Sequence, residues 1–208
     1  MEIILTVLAV FTVIIGSELW WRRRTIHDEF SRKFIHITVG SFVAFWPFFL
    51  SWHQIELLSV AFLAVISISK YLGLFQAIHS VQRPTWGEVF FAAAVGLAAL
   101  ITHDKWIYAT ALLTMGLADG IAAVVGTHYG GRQRYSVFGY AKSIVGTLVF
   151  FVISAAILLG YNHFGGHPMG PAVLLGISML VTALENVAVG GLDNLLVPLA
   201  VTLILTNR

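Results

Sequence analysis

Tyr108-Ala-Thr-Ala-Leu-Leu-Thr-Met-Gly-Leu-Ala-Asp-Gly-Ile-Ala-Ala-Val-Val-Gly126 is a run of small and apolar residues, long enough to span a bilayer and broken by a single charge, Asp119. A helical span needs about 20 apolar residues. A carboxylate within one costs about 2.5–3.5 kcal/mol even on the insertion scales that give the lowest penalties. The plain explanation is a structural Asp satisfied by a neighbouring helix. The rest of the chain argues for a functional one, because its other polar groups gather at the same membrane depth.

Outward from this run, the composition is that of an integral membrane protein. The hydrophobic fraction is 58%, the charged fraction 11% and the mean hydropathy +0.88, where a soluble domain carries about 25% charged residues. The expected fold is all-α, a polytopic transmembrane bundle of seven to eight spans, with residues 1–208 forming a single membrane domain. The apolar runs are continuous rather than alternating, which excludes a β-barrel. Without Cys there is no disulfide framework and no thiolate metal site. The net charge is only +2 and the basic residues are few and local, so nucleic acid is not an expected partner. The first apolar run lacks a basic n-region and ends in Trp20-Trp21-Arg22-Arg23-Arg24, which reads as a membrane anchor rather than a cleaved signal peptide.

Hydropathy predicts spans near 3–21, 34–50, 55–74, 88–101, 106–127, 143–160 and 169–186, with a shorter apolar segment at 194–206. The fourth and last are short for a full crossing, so tilt, a kink or partial re-entry is expected of them. Lys and Arg fall on alternate loops. Arg22, Arg23, Arg24, Arg32 and Lys33 are in the first, Arg83 in the third, and Arg132, Arg134 and Lys142 in the fifth, against Lys105 alone in the others. The positive-inside rule then puts these loops in the cytoplasm of a prokaryotic cell and the N-terminus outside. Asp119 falls in the inner half of its span. Lys142 with Ser143, Arg32 with Lys33 and His36, and Glu185 with Asp193 and Asn194 fall at the same face, where nucleotides are available. Trp46, Trp52, Trp86 and Trp106 suit an interfacial aromatic belt.

Each cluster has a chemistry. Gly116, Gly120 and Ala123, and again Ala122, Gly126 and Gly130, set small residues at helical spacing, which lets backbones approach closely. Asp119 stands beside that face. A carboxylate there can hold a divalent cation bridging nucleotide phosphates, since Mg²⁺ takes one or two carboxylates plus phosphate oxygens. In the loop from His128 to Thr147, Gly130, Gly131 and Gly139 supply a flexible backbone, and Arg132, Arg134 and Lys142 supply charge. Lys142 and Ser143 are expected to open a helix, with Gly146 and Thr147 one turn on, and a helix N-terminus favours anions. An ordinary positive-inside loop explains the same segment equally well. Glu29, Arg32 and His36 share a helical face, and Glu29 and Lys33 are spaced as an ion pair. That cationic neighbourhood can meet phosphate. In Glu185-Asn-Val-Ala-Val-Gly-Gly-Leu-Asp-Asn194, Gly190-Gly191 break the helix, and Asp193 and Asn194 suit the cap of the next one. With Glu185 they also suit a metal or hydroxyl-activating site.

Taken in order, four motifs resemble the polyprenol kinase family. They are Arg32-Lys33-x-x-His36, Leu117-Ala-Asp119-Gly-x-Ala-Ala-x-x-Gly126-x-x-x-Gly130, Lys142-Ser143-x-x-Gly146-Thr147 and Glu185…Asp193-Asn194-x-x-x-Pro198. The family includes dolichol kinase, phytol and farnesol kinases and CTP-dependent diacylglycerol kinase. The resemblance covers nearly the whole chain from residue 28 onward, and four motifs in order are far more specific than any one. It implies a multi-helix membrane enzyme, embedded in membrane lipid, that phosphorylates a lipid alcohol with a nucleoside triphosphate, usually CTP, and a divalent metal. On that reading Asp119 holds Mg²⁺ or another divalent cation with Glu185 or Asp193. Lys142, Ser143, Gly146, Thr147 and the Gly130–Gly131 backbone, beside Arg132, bind the triphosphate. Arg32, Lys33 and His36 steady phosphate charge or the reacting hydroxyl, and Glu185 or Asp193 accepts the alcohol proton. There are two departures from the pattern. Val145 stands where relatives often carry an acid, and Leu192 stands where they often have a first Asp before Asp193-Asn194, which removes one possible metal ligand. The alternatives are a CTP:phosphatidate cytidylyltransferase-like enzyme, whose long basic and aspartate-rich C-terminal signature is missing, and a small transporter, whose inverted repeat is not evident.

Overall fold

The computed structural model describes residues 28–72 and 86–208, together with positions 3, 5–8, 10, 12, 13, 15 and 16 of the N-terminal segment; for residues 28–32, 70 and 72 it describes the backbone alone. Arg22, Arg23, Arg24 and Arg83, used above for orientation, lie outside the described residues. So do the side chains of Glu29 and Arg32.

The chain folds as helices joined by short loops. α1 runs Asp28–Ala44, and a 3₁₀ turn, Trp46–Phe48, follows with Pro47 near its start. α2 is Trp52–Leu72 and α3 is Gly87–Ile101. α4, Lys105–Leu113, is capped by Asp104, whose Oδ1 accepts from the Trp106 and Ile107 amides at 2.7 and 3.0 Å. A π turn, Thr114–Ala118, carries this helix without a break into α5, Asp119–Tyr129. Strands β1, Arg134–Val137, and β2, Tyr140–Ser143, form an antiparallel hairpin. α6, Ile144–Phe164, α7, Pro171–Val187, and α8, Asp193–Thr206, complete the chain. The described positions between 3 and 16 are helical, and Val10 is buried in the core.

The all-α expectation holds, and the hairpin is the one addition to it among the described residues. The second expected span, 34–50, is displaced toward the N-terminus: its helix starts at Asp28 and ends at Ala44. Proline removes an amide donor and disfavours helix in the residue before it, so the segment at Pro47 continues as a 3₁₀ turn. Trp52 and Trp106 stand at helix starts and Trp86 is the residue before α3, whereas Trp46 is buried in the core.

The continuous helix of α4, the π turn and α5 is the axis of the bundle. Two-thirds of Lys105–Tyr129 is buried (67%), against 28% of Trp52–Ser69 and 22% of Ile144–Phe164. These three are long and apolar enough to cross a membrane, and Gly87–Ile101, Pro171–Val187 and Asp193–Thr206 are apolar but shorter. Leu57, Val60 and Ile68 of α2, and Leu148, Val152 and Leu159 of α6, are exposed. Apolar faces of that extent belong against hydrocarbon rather than water.

Small residues let the neighbours close on the axis. A Cβ on Gly116 would lie 3.0 Å from Gly40 Cα of α1, and one on Gly120 would strike Ile37. On the α6 side, a Cβ on Gly126 would lie 2.7 Å from Ser143 Oγ and 3.1 Å from Gly146 Cα. One run of small residues thus packs α1 on one side and α6 on the other.

At Gly116 the neighbour is backbone and cannot rotate away. Gly116→Val should destabilise the detergent-solubilised protein by about 1–3 kcal/mol, the usual cost of overpacking, while Gly176→Ala, where nothing lies within 4 Å, should not. Thermal unfolding of both variants tests this, and equal midpoints would refute the close α1 packing.

Candidate active site

Asp119 owes its position to the π turn. Its amide donates to Gly116 O, which leaves Met115 O for His36, whose Nε2 lies 3.1 Å away. π turns inside α-helices are frequent at functional sites. Lys33, from α1, donates to Asp119 Oδ2 at 2.7 Å, and both side chains are buried. His36 Nε2 is 3.4 Å from the same oxygen, and the His36 ring meets Phe91 of α3 edge-on. Lys33 therefore reaches across to the axial helix, and the Glu29 side chain of the expected pair lies outside the described residues.

The hairpin delivers the second cation. Its two-residue turn, Phe138-Gly139, has positive φ at both positions, 48° and 81°, as a tight hairpin of this kind requires. Lys142 Nζ donates to Glu185 Oε1 at 2.6 Å and to Glu185 O at the end of α7. The expectation that Lys142 and Ser143 open a helix needs correction. Both belong to β2, and α6 starts at Ile144 with Ser143 as its cap. Ser143 Oγ accepts from Gly146 N at 3.0 Å, and Ile144 N donates to Gln133 O at 3.0 Å. The Gly146 amide, assigned by sequence to an anion, is thus already bonded within the protein, as is that of Ile144. The cap role expected of Asp193 and Asn194 is not seen either. Leu192 precedes α8 without a side-chain cap, and Asn194 Nδ2 donates instead to Gly87 O at 3.0 Å.

The α7–α8 connection closes the site. Gly190 and Gly191 have φ of 68° and 94°, and a Cβ on Gly191 would lie 2.5 Å from Gly87 of α3. Only glycine satisfies both the backbone and the space there. This turn brings Asp193 beside Asp119 and Glu185, so that one carboxylate oxygen from each lies within 4.8 Å of the others. Asp119 and Glu185 each hold a lysine, and among the described residues Asp193 has no ion-pair partner.

These groups line one cavity of about 340 Å³. Of the residues singled out by sequence, it brings together Lys33, Asp119, Lys142, Ser143, Gly146, Thr147, Glu185 and Asp193. His36, Gly130, Gly131 and Arg132 are not on its wall. Gly130 instead packs against Ser143, where a Cβ would lie 2.7 Å from Ser143 Cβ. The Arg32 side chain lies outside the described residues. The wall also contains Arg134, Tyr140 and Asn194. Asn194 is thus at the site, as the sequence suggests beside its cap role, whereas sequence gives Arg134 only loop charge and Tyr140 no role. The missed signal was the hairpin itself, which is faint because Phe138 occupies a turn position where Asn, Asp or Gly is usual.

Thr147 is engaged elsewhere. Its Oγ1 lies 2.6 Å from Tyr135 OH and 3.2 Å from Asn186 Oδ1, Tyr135 OH also donates to Asn186 Oδ1, and Asn186 Nδ2 donates to Thr182 O at 2.9 Å. Sequence reading singled out neither Tyr135 nor Asn186. Glu88, in the first turn of α3, keeps one buried carboxylate oxygen without a hydrogen bond.

Comparison with known proteins gives the site its context. The chain is 33% identical over 201 residues to the phytol kinase of Synechocystis sp., a match covering 92% of this chain and 84% of that protein. It is 28% identical to a probable chloroplastic phytol kinase of Triticum aestivum, covering 88% of this chain and 68% of the relative. With phytol kinase 1 of Arabidopsis thaliana, also chloroplastic, the identity is 26%, over 93% of this chain and 71% of the relative. No family model and no solved structure matches. Identity to the Synechocystis enzyme on this scale, along nearly the whole chain, means that the protein belongs to the polyprenol and phytol kinase family and is a phosphotransferase acting on an alcohol group.

Proposed function

We propose that the protein is a membrane lipid alcohol kinase. It transfers the γ-phosphoryl group of a nucleoside triphosphate, CTP by the family resemblance, to the hydroxyl of a phytol-like alcohol, a polyprenol or diacylglycerol. The observation that carries this reading is the convergence of Asp119, Glu185 and Asp193 with Lys33 and Lys142 on one cavity at the end of an apolar bundle. The lipid tail stays among the helices, and its hydroxyl alone has to reach the cavity.

Three carboxylates that offer one oxygen each within 4.8 Å form an all-oxygen donor set suited to a hard divalent cation such as Mg²⁺. Asp119 and Glu185 would hold it, which leaves Asp193 for the proton, and its charge would offset that of the β- and γ-phosphates. The residues themselves do the positioning. Lys33 and Lys142 exchange their carboxylate partners for phosphate oxygens, and Arg134 adds charge from the cavity wall. His36, bonded to Met115 O, steadies Asp119. Gly130, at the end of α5, leaves room for Ser143 of the hairpin, and Gly131 supplies the positive φ, 43°, that leads into it. The alcohol oxygen attacks the γ-phosphorus, the bond to the β–γ bridging oxygen breaks, and the nucleoside diphosphate leaves. Asp193, the carboxylate without a lysine, accepts the alcohol proton.

We place the protein in a bacterial membrane with seven or eight crossings, the N-terminus outside and the cavity facing the cytosol. The support is the Lys/Arg asymmetry, with Arg132 and Arg134 exposed on the loop that borders the cavity.

Three experiments test the reading. Purified protein given CTP and a panel of phytol, farnesol, a polyprenol and diacylglycerol should yield CDP and a lipid monophosphate. Release of pyrophosphate, with a cytidylyl lipid formed from phosphatidate, would overturn the kinase assignment in favour of a cytidylyltransferase.

Asp119→Asn should lower turnover by orders of magnitude, but it also leaves Lys33 buried without its anion, a loss of about 3–5 kcal/mol for a buried pair. The double variant Lys33→Met/Asp119→Asn removes both charges. It should regain thermal stability without regaining turnover, and recovery of turnover would reduce the pair to a structural role.

Orientation is checked in this Cys-free chain by placing a single thiol at the exposed Gln133. Gln133→Cys should label only after permeabilisation, and labelling in intact cells would reverse the topology.

A further inference from the structure

The hairpin carries Lys142, yet two four-residue strands are marginal by themselves in water. Side-chain anchorage to α6 and α7 has to hold it. The register sets Tyr135 opposite Lys142, and directly opposed residues of an antiparallel pair project from the same face. This one cross-strand pair grips two consecutive residues in the last turn of α7. Lys142 takes Glu185 through its carboxylate and its carbonyl, and Tyr135 takes Asn186.

The two grips differ in kind. The first is ionic, and an incoming phosphate competes for its lysine. The second is neutral. Asn186 Oδ1 accepts from Tyr135 OH and Thr147 Oγ1, while Asn186 Nδ2 is committed to Thr182 O. Because that amide donates to a carbonyl, its oxygen is the atom turned toward the two hydroxyls. No member carries a charge that a nucleotide would draw away, and Thr147 ties the group to the first turn of α6.

We propose that Tyr135 and Asn186 are positioning residues. Their neutral clamp, closed by Thr147, holds the hairpin on α6 and α7 while Lys142 leaves Glu185 for phosphate. The inference rests on the reading of Lys142 as a phosphate ligand. Without the clamp, losing the Lys142–Glu185 bridge would free the hairpin at the moment its lysine is needed. With it, Lys142 changes partner on a fixed backbone.

A double-mutant cycle on the full-length protein in detergent tests this, using CTP with Mg²⁺ as the probe and isothermal titration as the readout. Tyr135→Phe keeps the ring and removes the hydroxyl. It should weaken CTP binding by roughly fivefold to tenfold, the scale of one net hydrogen bond, and leave the lipid KM unchanged. Asn186→Ala, which opens the clamp from α7, should do the same. In a Lys142→Met background, Tyr135→Phe should change CTP affinity less than twofold, because the lysine it positions is gone. An equal loss in both backgrounds would make the clamp a structural contact independent of Lys142 and overturn the inference. So would wild-type CTP affinity in both Tyr135→Phe and Asn186→Ala. If Lys142→Met itself binds CTP as the wild type does, the phosphate reading of Lys142 fails, and the clamp falls with it.

Discussion

A carboxylate inside an apolar helix bundle has to find a cation, and Asp119 finds Lys33. Much of the cavity end of the molecule is arranged around that requirement. The bridge forms only because Gly116 and Gly40 let the axial helix and α1 meet backbone to backbone. The π turn ahead of Asp119 aims its side chain and exposes a carbonyl to His36. A buried ion pair is weak evidence for stability, since apolar residues of similar size often hold a contact equally well or better. Keeping a pair there costs desolvation without a structural need. That cost is consistent with an Asp119 retained for chemistry.

The same economy of charge extends through the cavity. Three carboxylates lie within 4.8 Å, two of them matched by lysines, one from α1 and one from the hairpin. Repulsion among the acids is strong where water is scarce, and the lysines offset it without covering Asp193. Acids and lysines of the candidate site thus balance one another within the fold. In the proposed reaction, binding consists of exchanging partners rather than building a pocket. Catalysis of phosphoryl transfer is mostly positioning and neutralisation, and a balanced set of opposite charges suits both.

Positioning then falls to small elements. The hairpin is short, yet it supplies Lys142, Arg134 and Tyr140 to the cavity wall. The Gly190-Gly191 turn reaches Asp193 back toward the axial helix only because both glycines adopt positive φ and Gly191 has no Cβ to meet Gly87. These pieces lie at the loop end of the bundle, where backbone can leave helical geometry without leaving polar groups unsatisfied in hydrocarbon.

What the sequence determined by itself was local or compositional. Apart from the segment before Pro47, continuous apolar runs gave helices close to their observed bounds, because helix formation in a membrane protein satisfies the backbone within each segment and needs no distant partner. Asp119 was legible as a candidate site residue because charge in such a run is costly wherever the helix packs, and Lys142, Glu185 and Asp193 because they fall at the same end of their segments. Tertiary structure decided which charges pair. It joined Lys33 to Asp119 and Lys142 to Glu185, left Arg132 off the wall, and put Arg134 and Asn194 on it. It also turned the expected helix start at Lys142 into a strand, and made Thr147 part of a hydrogen-bonded clamp with Tyr135 and Asn186. Those outcomes depend on distances across helices far apart in sequence. Such distances are set by side-chain volume at Gly40, Gly116, Gly126 and Gly191 rather than by any local preference of the chain.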